Sequence, residues 1–201
     1  MATKKTEIYE VHVRSDGTKQ WYQNGERHRT DGPALEYANG FKEWYRNGKL
    51  HRTDGPAVVY ADGTKQWFQN GKFHRTDGPA IEYSSGSKHW YQNDDLHRTD
   101  GPAVERSDGT KQWYLNGEFH RTDGPAAEYA DGSKFWFQNG KLHRTDGPAV
   151  TYPSGHKEWW LNGQRLSESK FLKQTQTQAQ PSPCEGKIVE IDGKKYRLSE
   201  I

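Results

Sequence analysis

The side chains best suited to chemistry occur together in one heptapeptide, His-Arg-Thr-Asp-Gly-Pro-Ala. An imidazole beside a carboxylate is a combination used in acid–base catalysis. Catalysis requires one constellation that differs from its surroundings, whereas every copy of this cluster is the same. We therefore expect no catalytic residues and no enzymatic activity. The heptapeptide occurs six times, starting at His28, His51, His74, His97, His120 and His143.

The same polar residues also have a purely structural interpretation. In it the Asp caps a turn, the Arg pairs with a neighbouring carboxylate, the Thr hydrogen-bonds locally and the His packs on a Trp. Geometry disfavours a metal site, because equivalent His residues on successive repeats of a sheet would lie about 10 Å apart. One ion with bonds of about 2.1 Å cannot bridge that gap. We expect neither a metal ion nor a cofactor.

These clusters belong to a tandem array with a period of 23 residues and no insertion. Tryptophan keeps the same step, another aromatic residue follows each Trp, and an Asn comes two residues after that pair. Gly follows the Asn except in the fourth unit, where Asp94 replaces it. A period of this length indicates a repeat architecture. The tryptophans are Trp21, Trp44, Trp67, Trp90, Trp113, Trp136 and Trp159.

Turn residues predict the structure of one unit. Asn-Gly between short strands favours a hairpin with a type I′ turn, in which both central residues have positive φ. The two-residue loop pairs Tyr45 with Leu50 on one face and Trp44 with His51 on the other. Beyond Asp-Gly-Pro, apolar residues alternate with Glu, which predicts a half-buried strand. Each unit should thus hold two strands and at most a short third piece, and Asp94 should make the fourth unit the weakest.

The composition indicates a fold with little aliphatic core. Leu, Ile, Val and Phe make up only 28 of 201 residues. Such a low share signals disorder when the net charge is large, but here the charge is +2 and the chain holds 8 Trp and 11 Tyr. A conventional enzyme with a large core and a random polar coil are both excluded. Columns of stacked aromatic rings can replace the aliphatic core.

Composition also bears on location and partners. No apolar run approaches the roughly 18 residues of a membrane span, and the first residues lack the apolar stretch of a secretory signal. Cys184 is the single cysteine, so no intramolecular disulfide can form, and we expect a cytoplasmic location, in the host cytoplasm if the chain is viral. The near-neutral charge and the lack of a basic cluster in the array argue against nucleic-acid and membrane partners.

The chain divides into four predicted parts. Residues 1–166 form the repeat array of six to seven units, residues 167–174 a short capping helix with Ser as its N-cap, residues 175–183 a Gln/Thr/Pro linker, and residues 184–201 a C-terminal β-hairpin. A lone hairpin is not independently stable, so we expect this tail to mediate docking or self-association. Its apolar residues are Ile188, Val189, Ile191, Tyr196 and Leu198.

The unit running from Asp62 to His74 resembles a MORN-type repeat, which also has a 23-residue period, an aromatic strand, an Asn-Gly-Lys turn and a following His. The segment from Arg75 to Ala80 stands where that family usually has a Gly-x-Gly stretch, and it is similar to the variant repeats of bacterial, phage and giant-virus proteins. The resemblance covers roughly residues 12–166. It implies an all-β fold, an elongated and twisted antiparallel sheet built from one hairpin per repeat.

The function expected for such an array is protein binding without catalysis, because repetition creates an extended surface rather than a pocket. The resemblance further implies a phage- or bacteria-encoded binder that inhibits or sequesters a host or toxin protein. The alternative is a protein that sequesters nucleotides or glycans between Trp and Arg of adjacent repeats. The candidate surface comprises Trp44, Trp67, Trp90, Trp113 and Trp136, His51, His74, His97, His120 and His143, and Arg52, Arg75, Arg98, Arg121 and Arg144.

Overall fold

The computed structural model describes residues 8–178 and 187–197. It is an all-β protein with one helix in the described residues. No helix of this part is long and apolar enough to cross a bilayer. The elements are β1 (Glu10–Val13), β2 (Lys19–Gln23), β3 (Glu26–Arg27), β4 (Leu35–Glu36), β5 (Lys42–Glu43), β6 (Tyr45–Arg46), β7 (Lys49–Leu50), β8 (Val58–Val59), β9 (Lys65–Gln66), β10 (Phe68–Gln69), β11 (Lys72–Phe73), β12 (Ile81–Glu82), β13 (Lys88–His89), β14 (Tyr91–Gln92), β15 (Asp95–Leu96), β16 (Val104–Glu105), β17 (Lys111–Gln112), β18 (Tyr114–Leu115), β19 (Glu118–Phe119), β20 (Ala127–Glu128), β21 (Lys134–Phe135), β22 (Phe137–Gln138), β23 (Lys141–Leu142), β24 (Val150–Thr151), β25 (Lys157–Leu161), β26 (Gln164–Leu166), α1 (Glu168–Gln178), β27 (Ile188–Ile191) and β28 (Lys194–Arg197).

A long antiparallel sheet of 16 strands runs through the whole array. Its strands follow one another in the order β1-β2-β4-β5-β8-β9-β12-β13-β16-β17-β20-β21-β24-β25-β26, and β3 pairs with β2. The repeat keeps one register throughout: Gln66 pairs with Val58 on one side and with Ile81 on the other. Each unit therefore adds the same two strands to a growing sheet.

The predicted hairpins are confirmed between these strands. Tyr45 pairs with Leu50, and the His51 amide donates to the Trp44 carbonyl over 3.0 Å. Asn47 and Gly48 have φ values of 50° and 68°, the positive values that a type I′ turn requires. The Asn-Gly pair thus fixes the register of the hairpin, and Asn93-Asp94 also adopts positive φ values in the fourth unit.

The number of strands in a unit differs from the prediction. A full unit holds four two-residue strands, such as β9 to β12, rather than two or three. The break falls at the tryptophan: the Trp67 amide donates to Ala80 in the long sheet, while its carbonyl accepts from the His74 amide in the hairpin. The chain therefore leaves one hydrogen-bond ladder and enters another at this residue.

Successive hairpins are joined to each other by backbone bonds and by aromatic rings. The Gly71 amide donates to the Leu50 carbonyl over 2.8 Å, which links one hairpin to the next. The rings of Phe68 and Phe73 lie 4.1 Å apart, and Phe73 stacks on Tyr91 at 5.2 Å. The aromatic column predicted from composition is therefore present, at the hairpins.

The core is a thin line of small side chains. The alanine of every heptapeptide is fully buried, and the residue after it is nearly so, as with Ala57 and Val58 at 0% and 2% exposure. These two pack with Phe68 against Trp44 and Leu50. The expectation that the alternation buries both apolar positions is wrong for the second one, because Tyr60 lies beyond the two-residue strand and is 38% exposed.

The chain after the array adds a helix and a separate hairpin. The Ser167 hydroxyl accepts a bond from the Lys170 amide and caps α1, whose Phe171 is buried against the last hairpin. The helix ends at Gln178, four residues beyond the predicted boundary at 174, and takes in the start of the predicted linker. The tail hairpin β27–β28 pairs Val189 with Tyr196 around a turn in which Asp192 has a φ of 51°. Cys184 and Leu198 lie outside the described residues.

Candidate interaction surface

An arginine lies over the ring of a tryptophan in six consecutive units. The guanidinium carbon is 4.0 to 4.2 Å from the ring centroid, well within the range of a cation–π contact. The residue that lies over the ring is therefore the arginine and not the histidine that the sequence suggested. The pairs are Arg29–Trp21, Arg52–Trp44, Arg75–Trp67, Arg98–Trp90, Arg121–Trp113 and Arg144–Trp136.

Hydrogen bonds hold each guanidinium in place. In the third unit Arg75 donates from Nε to Asp77 over 2.9 Å and from Nη1 to the Pro79 carbonyl over 3.2 Å. Nη1 also donates to Glu82 over 3.0 Å, a bond shared by the two following units. The predicted pairing of arginine with a carboxylate is thus confirmed. The aspartate accepts from the arginine rather than capping a turn, and this bond lowers the pKa of Asp77.

The glycine of the heptapeptide makes room for this arrangement. A Cβ placed on Gly78 would lie 2.9 Å from the Arg75 guanidinium carbon, which is closer than van der Waals contact permits. Gly32, Gly101 and Gly124 show the same 2.9 Å approach. Their φ values lie outside the positive range that favours glycine. Glycine is favoured here because it leaves the packed arginine in place, and not because of the backbone conformation.

The histidine connects each unit to the next. Nδ1 of His51 accepts a hydrogen bond from the Asn70 amide over 3.1 Å and lies 3.0 Å from that residue's side-chain Oδ1. The same contact between a histidine and the following Asn-Gly turn recurs along the array. The histidine is therefore a link between repeats, which the sequence pattern alone did not indicate.

In five of the six units the threonine is the one polar side chain of the heptapeptide that forms no hydrogen bond with another described residue. Thr53 is exposed and makes no side-chain hydrogen bond within the described part of the chain, and Thr76, Thr99, Thr122 and Thr145 are the same. The expected local hydrogen bond of the threonine is absent in these five units. Their hydroxyls face solvent.

Consecutive heptapeptide loops enclose a row of open clefts. One cleft of about 730 Å³ lies between the loop that begins at Arg29 and the loop that begins at Arg52, with Trp44 and His51 in its wall. Equivalent clefts of about 500 and 540 Å³ follow further along the array. Each loop contributes one arginine and one aspartate, whose charges offset each other, and the first cleft holds Arg46 in addition.

The structure thus brings the predicted Trp, His and Arg residues together along one side of the array. The tail residues form a separate feature: Ile188, Ile191 and Tyr196 are 58%, 56% and 48% exposed. Among the described residues no cluster of three or more His, Cys, Asp or Glu side chains could hold a metal ion.

A second ladder, which sequence reasoning missed, lies at the Gly turns between units. Asp62 accepts from the Thr64 amide over 2.8 Å, and the Thr64 hydroxyl accepts from the Ser84 amide of the next turn over 3.1 Å. The recurring Asp-Gly-Thr or Asp-Gly-Ser triplet was the available signal. These bonds connect neighbouring turns, and their residues do not line the clefts between the heptapeptide loops.

Comparison with known proteins adds no assignment to this geometry. No protein-family model matches the chain. A search of curated proteins also finds no match.

Proposed function

We propose that this protein is a non-enzymatic scaffold that binds an elongated protein partner along its row of clefts. The observation that supports this proposal is the recurrence of one cleft between successive loops, lined each time by the same loop residues, a tryptophan and a histidine. A partner with an extended segment can contact several equivalent clefts at once, so weak contacts add along the array. Repeated clefts therefore raise the affinity for a partner that contacts several of them, whereas catalysis needs only one site.

The rigidity of the cleft wall also favours binding over catalysis. Each arginine is held by the tryptophan below it and by acceptors on both sides, as with Arg98, Asp100 and Glu105. A side chain fixed in this way loses little conformational entropy when a partner binds. The same restraint leaves the arginine unsuited to moving with a reacting group. The cleft is preorganised for contact.

A small ligand is the second candidate, since clefts of 500 to 730 Å³ are large enough to hold one. Stacking of a base or sugar on the tryptophan is disfavoured, because the guanidinium occupies one face of each ring. A nucleotide or glycan would have to rely on polar contacts at the cleft mouth. The protein partner remains our first choice.

The resemblance to variant MORN-type repeats extends the proposal to the kind of partner. In that interpretation the array is a phage- or bacteria-encoded binder that inhibits or sequesters a host or toxin protein. Clefts that alternate arginine and aspartate suit a partner segment with both charge signs.

The test uses the exposed threonines as sites that can be enlarged without disturbing the arginines. A protein captured from the native host is purified, and its affinity is measured for the wild type and for a T53R/T76R/T99R variant. The control is A61R, at an exposed turn on the opposite edge of the unit. We expect the triple variant to bind at least about tenfold more weakly and A61R to bind normally, since added bulk at a packed contact costs more than about 1.4 kcal/mol.

Two results would contradict the proposal. Equal affinity for the wild type and the triple variant would show that the clefts are not the binding surface. Saturable thermal stabilisation by one nucleotide or sugar, with a stoichiometry near the number of repeats, would favour the ligand-binding candidate instead.

A further inference from the structure

Within the described residues, β1 forms the N-terminal edge of the long sheet. Strand β1 pairs with β2 on one side and with no other strand among the described residues. Val11 and Val13 on this strand are 46% and 65% exposed. An unpaired edge strand with exposed apolar residues is a template for another strand. At the opposite end of the sheet, α1 packs beside β25 and buries Phe171.

The backbone of β1 can accept a further strand. The Arg14 amide donates inward to the Thr18 carbonyl. Inward and outward groups alternate along an antiparallel pair, so the amides of Val11 and Val13 point away from β2. Two N–H groups and their carbonyls are thus presented at the edge of the sheet.

The C-terminal hairpin has the complementary features. Strands β27 and β28 pair only with each other in the described part of the chain, so each leaves an unpaired outer edge. Alternation places Val189, Ile191 and Tyr196 on one face of the hairpin. A two-stranded hairpin with an exposed apolar face is marginally stable until it pairs with more strands.

Measured along the sheet, β1 lies beyond the reach of the hairpin of its own chain. The fifteen strands on the sheet path span about 67 Å, at about 4.8 Å per interval. From Leu166 to Lys187 the chain extends at most about 55 Å, even with residues 179–187 fully stretched after the helix α1. An edge strand of a second copy has no such limit.

We propose that the C-terminal hairpin of one copy adds to the β1 edge of a second copy, which joins the chains head to tail. Charge favours β28 as the added strand, because β28 carries Lys194, Lys195 and Arg197 and β1 carries Glu10, which lies 2.6 Å from His12, whereas β27 carries Glu190. A heterologous contact of this kind leaves a free β1 edge and a free hairpin at the two ends. Further copies can therefore add, and the assembly grows with concentration.

The test blocks each end separately in the full-length protein. V13P removes an outward-pointing amide at an edge strand, where proline breaks no ladder bond, and V13T is its control, which keeps that amide. V189K/Y196K places charges on the apolar face of the hairpin and leaves the array unchanged. Sedimentation velocity over a range of concentrations gives the mass of each variant and of an equimolar mixture of V13P with V189K/Y196K.

We expect the mass of the wild type and of V13T to rise with concentration above the 23.2 kDa of one chain, and each blocked variant to stay at that mass. The mixture should form dimers and stop there, because each chain keeps one functional end. The proposal is overturned if the wild type stays monomeric at all concentrations, if V13P associates as the wild type does, or if the mixture forms no dimer. None of these outcomes depends on whether the clefts bind a partner.

Discussion

Replacing Gly78 by alanine tests the packing that defines the clefts. At a position with ordinary φ, this change should stabilise the protein by about 0.4–1 kcal/mol, because alanine restricts the unfolded chain. Here the new Cβ would lie 2.9 Å from the Arg75 guanidinium carbon and 3.1 Å from its Nε. The side chain must move away, and it then leaves the face of Trp67.

The magnitude follows from the contacts that Arg75 gives up. Loss of the stack costs about 1 kcal/mol. Weakening the bonds from Nη1 to the Pro79 carbonyl and to Glu82 costs about 0.5–1.5 kcal/mol each, with the Glu82 bond at the low end because that carboxylate is about one-third exposed. After the gain from alanine is subtracted, we expect a net destabilisation of about 1–2 kcal/mol.

Urea unfolding followed by tryptophan fluorescence measures the effect. Gly147→Ala is the matched control, because its nearest guanidinium atom is 3.2 Å away and the loss should be smaller. In an Arg75→Ala background the clash is gone, so Gly78→Ala should become neutral or stabilising. If Gly78→Ala stabilises the wild type, or costs the same with and without Arg75, the packing argument is refuted.

Three further changes test the turns and the titrating groups. Asp94→Gly should change the free energy of unfolding by less than about 0.5 kcal/mol, because relief of the strain at positive φ offsets loss of the 2.7 Å bond that Asp94 accepts from the Phe73 amide. The urea midpoint measures the net change, and faster hydrogen exchange of the Phe73 amide would show that the bond is lost. The hydrogen bond from Arg75 lowers the pKa of Asp77 in the folded state, so the ionised carboxylate stabilises the fold above the ordinary pKa of 3.8. This stabilisation is lost as the pH falls through the lowered pKa, and Asp77→Asn should therefore lose less stability than the wild type on acidification, as measured by urea unfolding. Burial raises the pKa of Tyr114 to about 12, so the folded state favours the protonated phenol and the free energy of unfolding falls as the pH rises from about 10 towards 12. Tyr114→Phe should lose less stability than the wild type over this pH range in the same assay.

The sequence determined the repeat, the hairpins and their register, because each depends on local chemistry. Asn-Gly imposes positive φ, and a two-residue loop leaves one way to pair Tyr45 with Leu50. The fourth unit also adopts the turn, and its Asp94 supplies a side-chain acceptor that glycine lacks. The sequence predicts a weaker fourth unit, whereas this bond predicts little difference in stability, and the Asp94→Gly comparison decides between the two predictions.

The contacts between side chains could not be predicted in the same way. The pairing of Trp44 with His51 in the ladder was correct, but it did not reveal that Arg52, one residue further on, turns back over the ring. The bond from His51 to Asn70 crosses between units, 19 residues apart in the chain. Such contacts depend on how successive hairpins stack, which a single unit of sequence does not encode.

The structure accounts for six of the seven residues in the heptapeptide. Around Arg75, the histidine binds the next turn, the aspartate and the proline carbonyl accept from the guanidinium, the glycine makes room for it and the alanine is fully buried. The threonine has no such constraint in five units, for Thr76 and its equivalents are exposed and unbonded. An exposed side chain repeated without change, and free of any role in folding, is expected at a binding surface. Thr76→Ala should therefore leave the urea midpoint within about 0.5 kcal/mol of the wild type and still weaken partner binding, and a loss of stability without a loss of affinity would assign the threonine to folding after all.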